Sequence, residues 1–238
     1  LVGLLGTFRG PVRATEPPSD SAARLFARKN LIAWCIVPFD SRKRTPEQRA
    51  AMLERLGFSH FAYDWRADDI PTFDAEIQAL KAHGVSLDAF WTAPGELNRE
   101  SRIILDVLKR NGVKTCLWAL LDFGPDRSTS GPERDRRVEE AAGKLAPLAR
   151  EAAKIGCTVA LYNHGGWFGE PENQIAIIER LKRVGVSNVG IVYNLHHGHD
   201  HLDRFPALLS KMKPYLVALN LNGMDPDGDR VGRKILPL

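Results

Sequence analysis

Histidine and amide side chains cluster directly after three apolar segments in the C-terminal half of the chain. The polar clusters are Tyr162-Asn163-His164-Gly165-Gly166, Asn194-Leu195-His196-His197 and Asn220-Leu221-Asn222. Imidazoles exchange protons near neutral pH, and amides both donate and accept hydrogen bonds. Side chains of these types suit proton transfer on a small polar molecule, or ligation of a transition metal.

The elements that position these groups follow from the apolar segments at residues 158–161, 189–192 and 216–219. Short apolar segments that end in polar residues are typical of buried parallel strands. In a (β/α)8 barrel, the carboxyl ends of such strands form the active site. We therefore expect one pocket at this end of a barrel, and we expect five side chains to face it: Asn163, His164, Asn194, His197 and Asn220.

A helix–glycine–strand junction recurs along the chain and favours the same fold. Each junction glycine follows a charged amphipathic segment and precedes an apolar one: Gly57, Gly84, Gly112, Gly156 and Gly185. Glycine just past a helix adopts the left-handed backbone conformation that closes the last turn. The spacing is that of one strand–helix unit. A solenoid is the alternative, but the unequal unit lengths and the lack of a helical consensus disfavour it.

The pattern predicts strands at residues 31–37, 60–65, 86–91, 114–121, 158–162, 188–194 and 215–221. Helices are predicted to begin at Thr45 and to span residues 71–83, 98–111, 133–155, 171–184 and 202–212. Pro147 predicts a kink or a break in the fourth of these six helices. Residues 234–236 could begin an eighth strand, so we expect a barrel that is incomplete at strand and helix eight in this chain.

The composition is that of one globular domain. The chain has 238 residues, 44% of them hydrophobic, and a net charge of +4. Basic and acidic residues alternate along the helices, which argues against a nucleic-acid-binding face. No apolar stretch reaches the roughly 18 residues needed to span a membrane. Three cysteines, an odd number without paired spacing, argue against a disulfide framework.

Residues 1–30 are interpreted as a leader, and residues 31–238 as the barrel domain. The apolar start of the chain, followed by Ala14 and a polar stretch, has two readings that stay open. It could be the remnant of a secretory signal, or a disordered leader. The location is accordingly cytoplasmic or, if residues 1–14 are a signal remnant, periplasmic or secreted.

The strand ends together resemble the sugar phosphate isomerase/epimerase group of the xylose isomerase-like TIM barrel superfamily. The similar segments are Tyr63-Asp64-Trp65-Arg66, Ala89-Phe90-Trp91, Leu161 to Gly166, Asn194 to His197 and Asn220 to Gly223. The resemblance implies a (β/α)8 TIM barrel, an isomerase activity and a role in carbohydrate metabolism. Because this superfamily hosts many reactions, its members do not share one substrate.

Members of this group typically hold a divalent metal through a Glu, an Asp, a His and a Glu from strands five to eight. The matching positions here are Tyr162, Asn194 and either Asn220 or Asn222. Mg²⁺ and Mn²⁺ prefer charged oxygen ligands, so the substitutions argue against a metal site of the family type. Zn²⁺ could instead bind histidines, which are dense between His196 and His201. The alternative is a polar loop without metal.

From the resemblance we predict His164 and His197 as catalytic residues. Asp64, Trp91, Asn163, Asn194 and Asn220 are predicted to bind substrate. The predicted partner is a small carbohydrate or polyol, altered by proton transfer next to a carbonyl. The alternative is a carbohydrate-binding barrel that has lost the family metal site and catalysis with it. A metal-dependent phosphodiesterase is a third option, but it requires several metals and their carboxylates. The oligomeric state is not predicted.

Overall fold

A computed structural model describes residues 24, 26–225 and 227–236. The predicted leader therefore lies mostly outside the described residues. Its last three residues, Arg28–Asn30, form a short 3-10 helix. The Arg28 guanidinium donates a hydrogen bond to the carbonyl oxygen of Leu56 at 3.1 Å, which ties this segment to the end of the first long helix.

Parallel strands and α-helices alternate along the described part of the chain. The strands are β1 (Ile32–Ala33), β2 (His60–Tyr63), β3 (Ser86–Thr92), β4 (Cys116–Ala119), β5 (Thr158–Tyr162), β6 (Val189–Asn194) and β7 (Leu216–Asn220). The helices are α1 (Pro46–Leu56), α2 (Phe73–Ala82), α3 (Arg99–Arg110), α4 (Pro132–Lys154), α5 (Pro171–Arg183) and α6 (Phe205–Met212). The strand order in the sheet follows the chain from β1 to β7, and every neighbouring pair is parallel. The prediction of an incomplete (β/α)8 barrel is confirmed.

Local sequence signals begin and end the helices. The Thr45 side chain accepts a hydrogen bond from the Gln48 backbone, and the Gln48 side-chain oxygen accepts one from the Thr45 backbone nitrogen. Gly57 ends α1 with a φ of 74°, in the left-handed region. Asn98 and Ser101 form the equivalent reciprocal cap at α3. These caps satisfy backbone N–H groups that have no partner within the helix, so the turns are fixed locally.

Two apolar layers enclose the sheet. Val159 and Leu161 of β5 face the helices and belong to the large outer core. Ala160 and Tyr162, which alternate with them, belong to a second cluster on the inner face of the sheet. Small residues on the neighbouring strands leave room in this inner cluster for large aromatic side chains. Its buried members are Ala62, Ala89, Trp118, Ala160, Tyr162 and Val192.

The first strand is shorter than predicted. It spans Ile32–Ala33 instead of residues 31–37, and Val37–Phe39 form a 3-10 helix.

A break at Pro147 and an eighth parallel strand were also predicted, and both were wrong. Helix α4 continues through Pro147, because the proline and Gly143, four residues earlier, both lie on the exposed face. Water can hydrogen-bond the freed carbonyl there, and glycine relieves crowding by the proline ring. Leu236 does not add an eighth parallel strand. It forms an antiparallel bridge with Gly223, so the chain turns back after β7.

Candidate functional site

Aromatic side chains line the inside of the barrel at the carboxyl ends of the strands. The rings of Trp34 and Trp118 meet edge to face, with centroids 4.7 Å apart. The Trp91 and Tyr162 rings are also edge to face, at 4.5 Å. Edge-to-face contacts of this kind stabilise a fixed arrangement of rings. We call the four side chains Trp34, Trp91, Trp118 and Tyr162 the aromatic cage.

Polar atoms without protein partners lie at this end of the barrel. Among the described residues, the indole nitrogens of Trp34 and Trp91 and one carboxylate oxygen of Asp64 are buried and have no hydrogen-bond partner. Buried donors and acceptors are almost always paired, and an unpaired one needs an explanation. These two donors and one acceptor are buried polar groups beside the aromatic rings, and a small polar molecule that entered here could pair with them.

Asp64 follows β2 directly and is only 3% exposed. Burial raises the pKa of its carboxyl to about 6, an effect that hydrogen bonds from the backbone and the charges of Arg66 and Arg49 only partly offset. The Arg66 guanidinium donates instead to the backbone oxygens of Asp64 and Trp65, at 2.9 and 2.8 Å. The Asp64 carboxyl therefore titrates close to neutral pH.

Amide side chains connect the ends of β5 and β6. The Asn163 side chain donates to the backbone oxygen of Asn194 at 3.0 Å and accepts from its backbone nitrogen at 2.6 Å. Asn163 is fully buried, so its amide connects two strands. The Asn194 amide nitrogen donates to the Tyr162 hydroxyl at 2.7 Å, and its oxygen accepts from the His196 backbone at 3.1 Å. Asn220, half-buried, lies beside Asn194 in the sheet register.

Histidines lie together above the aromatic cage. The His164 and His197 rings are 4.3 Å apart, and the His197 ring is 5.6 Å from that of Tyr162. The His196 ring is 4.5 Å from that of His197. Burial, followed by the charges of His164 and His196, lowers the pKa of His197 to about 3. His197 is consequently neutral at physiological pH.

A cavity of about 410 Å³ opens beside His164, between the loops that follow β4 and β5. Its lining combines the Asp122 carboxylate, the His164 ring and the backbone around Gly165 and Gly166. The cavity is large enough for a monosaccharide. Of the five side chains expected to face one pocket, His164 lines this cavity and the other four are not among its lining residues. His197 lies beside His164, whereas the Asn163 amide connects β5 and β6.

A buried network fixes the loop that carries His196 and His197. The Tyr193 hydroxyl is 2.9 Å from Nδ1 of His201, and Nε2 of His201 is 3.1 Å from Glu170. Arg204 also pairs with Glu170. Although burial alone would raise it, the pKa of Glu170 is lowered by the hydrogen bonds and charges of His201 and Arg204. His201 therefore anchors the loop from its outer side and faces away from the aromatic cage.

Comparison with solved structures shows which known proteins share this architecture. A 3-keto-D-glucoside 4-epimerase from E. coli aligns with a TM-score of 0.59 at 16% identity, over 82% of this chain and 79% of that one. A D-psicose 3-epimerase from Clostridium cellulolyticum H10, solved with D-tagatose, aligns at 0.56 and 16%, over 79% and 71%. A xylose isomerase-like TIM barrel protein from Mycobacterium smegmatis, solved with magnesium, aligns at 0.50 and 15%, over 78% and 71%.

The chain shares the parallel (β/α) barrel fold of these proteins. The resemblance noted in the sequence is confirmed at this level. No protein-family model matches the sequence, and no curated protein matches it either. No helix in the described part of the chain is long and apolar enough to cross a membrane.

The resemblance places the metal ligands at Tyr162 and Asn194, and these side chains are not the anionic oxygen ligands that Mg²⁺ and Mn²⁺ prefer. Tyr162 and Asn194 are neutral and are hydrogen-bonded to each other, and the Asn194 oxygen is already an acceptor for His196. Within residues 26–225 and 227–236, no three His, Cys, Asp or Glu side chains are arranged to hold a metal ion. Hard dications bind anionic oxygens far more strongly than neutral ones.

Sequence reasoning missed two members of the aromatic cage, Trp34 and Trp118. A signal was present, because strand residues alternate between the two faces of a sheet. Trp118 lies between Leu117 and Ala119 of the outer core, so the alternation places Trp118 on the inner face, as the structure shows. The same alternation separates Tyr162, which faces inward, from Asn163, which lies between the strands.

Gly166 shapes the cavity, and its substitution gives a test. Gly166 has a φ of 60°, and a Cβ there would lie 2.4 Å from the carbonyl oxygen of Gly124. Gly165 has a φ of 85° but open space around the Cβ position. Gly165→Ala should cost about 1–2 kcal/mol of unfolding free energy, since a left-handed backbone strains any side chain. Gly166→Ala should cost more, because the Gly124 loop must also move. Equal losses in urea unfolding would contradict this.

Proposed function

We propose that this protein is a sugar isomerase/epimerase-like barrel that binds a sugar or polyol at the aromatic cage and transfers a proton next to a carbonyl. The observation that carries the proposal is the set of open polar atoms around the cage: the indole nitrogens of Trp34 and Trp91 and one oxygen of Asp64. The fold shared with sugar epimerases supports the same substrate class.

Sugars suit this surface because they have two kinds of face. Their C–H groups pack on aromatic rings, and their hydroxyls exchange hydrogen bonds in the ring plane. The cage offers rings at Trp34, Trp91 and Tyr162, and the two open indole N–H groups can donate to hydroxyl oxygens. Asp64 can accept from a hydroxyl. Recognition in this scheme needs no metal.

Proton transfer next to a carbonyl produces an enediolate, whose negative oxygen must be stabilised. His164 and His197 lie side by side at the mouth of the cage. With its pKa lowered to about 3, His197 is a neutral imidazole that can donate a hydrogen bond to the developing oxyanion. We propose that His197 polarises the carbonyl and that His164 contacts the substrate from the cavity side.

The alternative is a barrel that binds a carbohydrate without altering it. The observation in its favour is the neutral Tyr162–Asn194 pair at positions where the related isomerases have carboxylates. A neutral pair cannot hold a dication or take up a proton at neutral pH. The two functions predict the same ligands, and they differ in whether hydrogen next to the carbonyl exchanges with solvent.

Trp91→Phe tests the binding site. This change keeps an aromatic ring and removes the open N–H, so a sugar should bind about 2- to 10-fold more weakly if one hydrogen bond is lost. Trp91→Ala should weaken binding further. Titration calorimetry with D-fructose, D-tagatose, D-glucose and sorbitol measures the affinities.

The matched control is Tyr215→Phe, which removes a polar group from an aromatic residue just before β7, at the amino end of the barrel. It should leave affinity unchanged. Binding of none of the four probes by the wild-type protein would overturn the proposal. Equal affinities of the wild type and both Trp91 variants would place the ligand elsewhere.

A further inference from the structure

We propose that Asp64, rather than His197, is the group that carries the proton in this reaction, as a single base on one face of an aldose or ketose. The inference rests on the proposed function and adds a catalytic residue and a reaction type. Asp64 had been expected only to bind substrate.

The position of Asp64 is that of a catalytic group. Asp64 follows the end of β2, one of the strand ends that form the mouth of the cage, and the residue is only 3% exposed. One carboxylate oxygen has no hydrogen-bond partner among the described residues. A buried carboxylate oxygen that forms no structural bond is costly, since desolvation is not compensated. This oxygen is shielded from solvent, so a substrate would have to enter the end of the barrel to accept its proton or donate to it.

The groups around Asp64 come from several elements. The Cys35 thiol follows β1 and contacts the side chains of both Asp64 and Trp34. Burial first, and then the charge of Asp64, raise the pKa of this thiol to about 12. Tyr162 ends β5, and burial, with a smaller effect from the Asp64 charge, raises its pKa as well. Both neighbours therefore stay protonated and neutral. Arg66 and Arg49 act on Asp64 only as charges that lower its pKa.

A general base is most effective when its pKa lies near the working pH. The carboxyl of Asp64, with a pKa of about 6, can both take and return a proton near neutrality. His197, with a pKa of about 3, is a far weaker base. The two environments shift the pKa values in opposite directions, up for Asp64 and down for His197. The carboxylate therefore exchanges the proton, and the His197 imidazole stays neutral.

The step balances without any co-reactant. The Asp64 carboxylate takes the proton from the carbon beside the carbonyl, and the C–H electron pair forms a C=C bond. The carbonyl π pair moves to oxygen and gives an enediolate. The neighbouring hydroxyl proton passes to the former carbonyl oxygen. Asp64 then returns its proton to the former carbonyl carbon, while the new carbonyl forms at the carbon that lost its proton. The Asp64 carboxylate is regenerated.

One base on one face predicts the reaction type. Because the proton leaves and returns on the same side, the carbonyl moves between neighbouring carbons. Inversion at a single carbon would need a second acid on the opposite face. The inferred substrates are therefore aldoses and ketoses with a hydroxyl next to the carbonyl, interconverted by a 1,2-shift.

The test is deuterium exchange. Wild-type protein in D2O, with D-fructose, D-tagatose, D-glucose or D-xylose, should place deuterium on the carbon beside the carbonyl, as read by proton NMR. Asp64→Asn should slow the exchange by about 10²- to 10⁴-fold, the usual contribution of acid–base catalysis. Its affinity for sorbitol should change only a few-fold. Asp106→Asn, on the exposed face of α3, is the matched control and should exchange like the wild type.

The outcomes separate the two proposals. Wild-type exchange that persists in Asp64→Asn but disappears in His197→Gln overturns the role of Asp64 and leaves the isomerase function standing. Sorbitol binding without wild-type exchange overturns proton transfer altogether and favours the non-catalytic barrel. If neither binding nor exchange occurs, both proposals fall.

Discussion

Glu76→Leu is expected to lower the free energy of unfolding by about 3–5 kcal/mol, because it leaves a buried arginine without its partner. Arg49 of α1 binds Glu76 of α2 through two hydrogen bonds of 2.9 and 2.7 Å. The two side chains are 4% and 0% exposed. Burial raises the pKa of Glu76 despite the nearby guanidinium. The pKa of Arg49 is also raised: burial alone would lower it, but the contact with Glu76 outweighs burial.

The double variant Arg49→Met/Glu76→Leu should recover most of the loss, since an apolar pair of similar volume avoids the desolvation cost of both charges. The matched control is Arg110 of α3 with Asp74 of α2, a pair of the same kind in which each side chain is 52% exposed. Arg110→Met should cost far less than Glu76→Leu, because solvent screens an exposed ion pair. Denaturant unfolding monitored by circular dichroism measures all four proteins. A Glu76→Leu loss as small as that of the exposed control would contradict the argument.

Asp64→Asn is expected to stabilise the protein at neutral pH by about 2–3 kcal/mol, according to the linkage between pKa and stability. The folded-state pKa of about 6 lies above the ordinary aspartate value of 3.8. The protonated form is therefore favoured by folding. The stability that the protonated Asp64 carboxyl contributes is fully present below about pH 4 and is lost as the pH rises through 6. The stability difference between Asp64→Asn and the wild type should be small near pH 3.5 and should grow up to about pH 7.

Urea unfolding at a series of pH values measures this difference directly. Subtracting the wild-type curve removes the effect of other carboxylates, which titrate in both proteins. Asp106→Asn, which is exposed, should show no such pH-dependent gain. A constant offset between Asp64→Asn and the wild type from pH 4 to 7 would show that the Asp64 carboxyl has an ordinary pKa. If Asp64→Asn is more stable than the wild type and also loses deuterium exchange, Asp64 is kept for function at a cost in stability.

Local signals in the sequence were sufficient for most of the elements, although β1 is much shorter than predicted. Strand β5 lies at the predicted residues 158–162, and the Thr45 and Asn98 caps begin helices as expected. The spacing of apolar residues, the helix caps and the junction glycines each depend on a few neighbouring residues. They can therefore be recognised without the tertiary structure. The repeat of strand and helix then determined the barrel, because parallel strands need such crossovers. It also placed the polar strand ends at one end of the barrel.

The tertiary structure decided what each side chain does there. Asn163 binds Asn194 across 31 residues of sequence, and this contact depends on the register of β5 and β6. The isolation of the Asp64 oxygen, and hence its pKa, depends on burial by several elements at once. The return of the chain at Leu236 depends on a pairing with Gly223 that no local pattern encodes. Sequence determines local conformation through short-range sterics and hydrogen bonds, whereas pairing, burial and charge environment arise only when distant segments pack together.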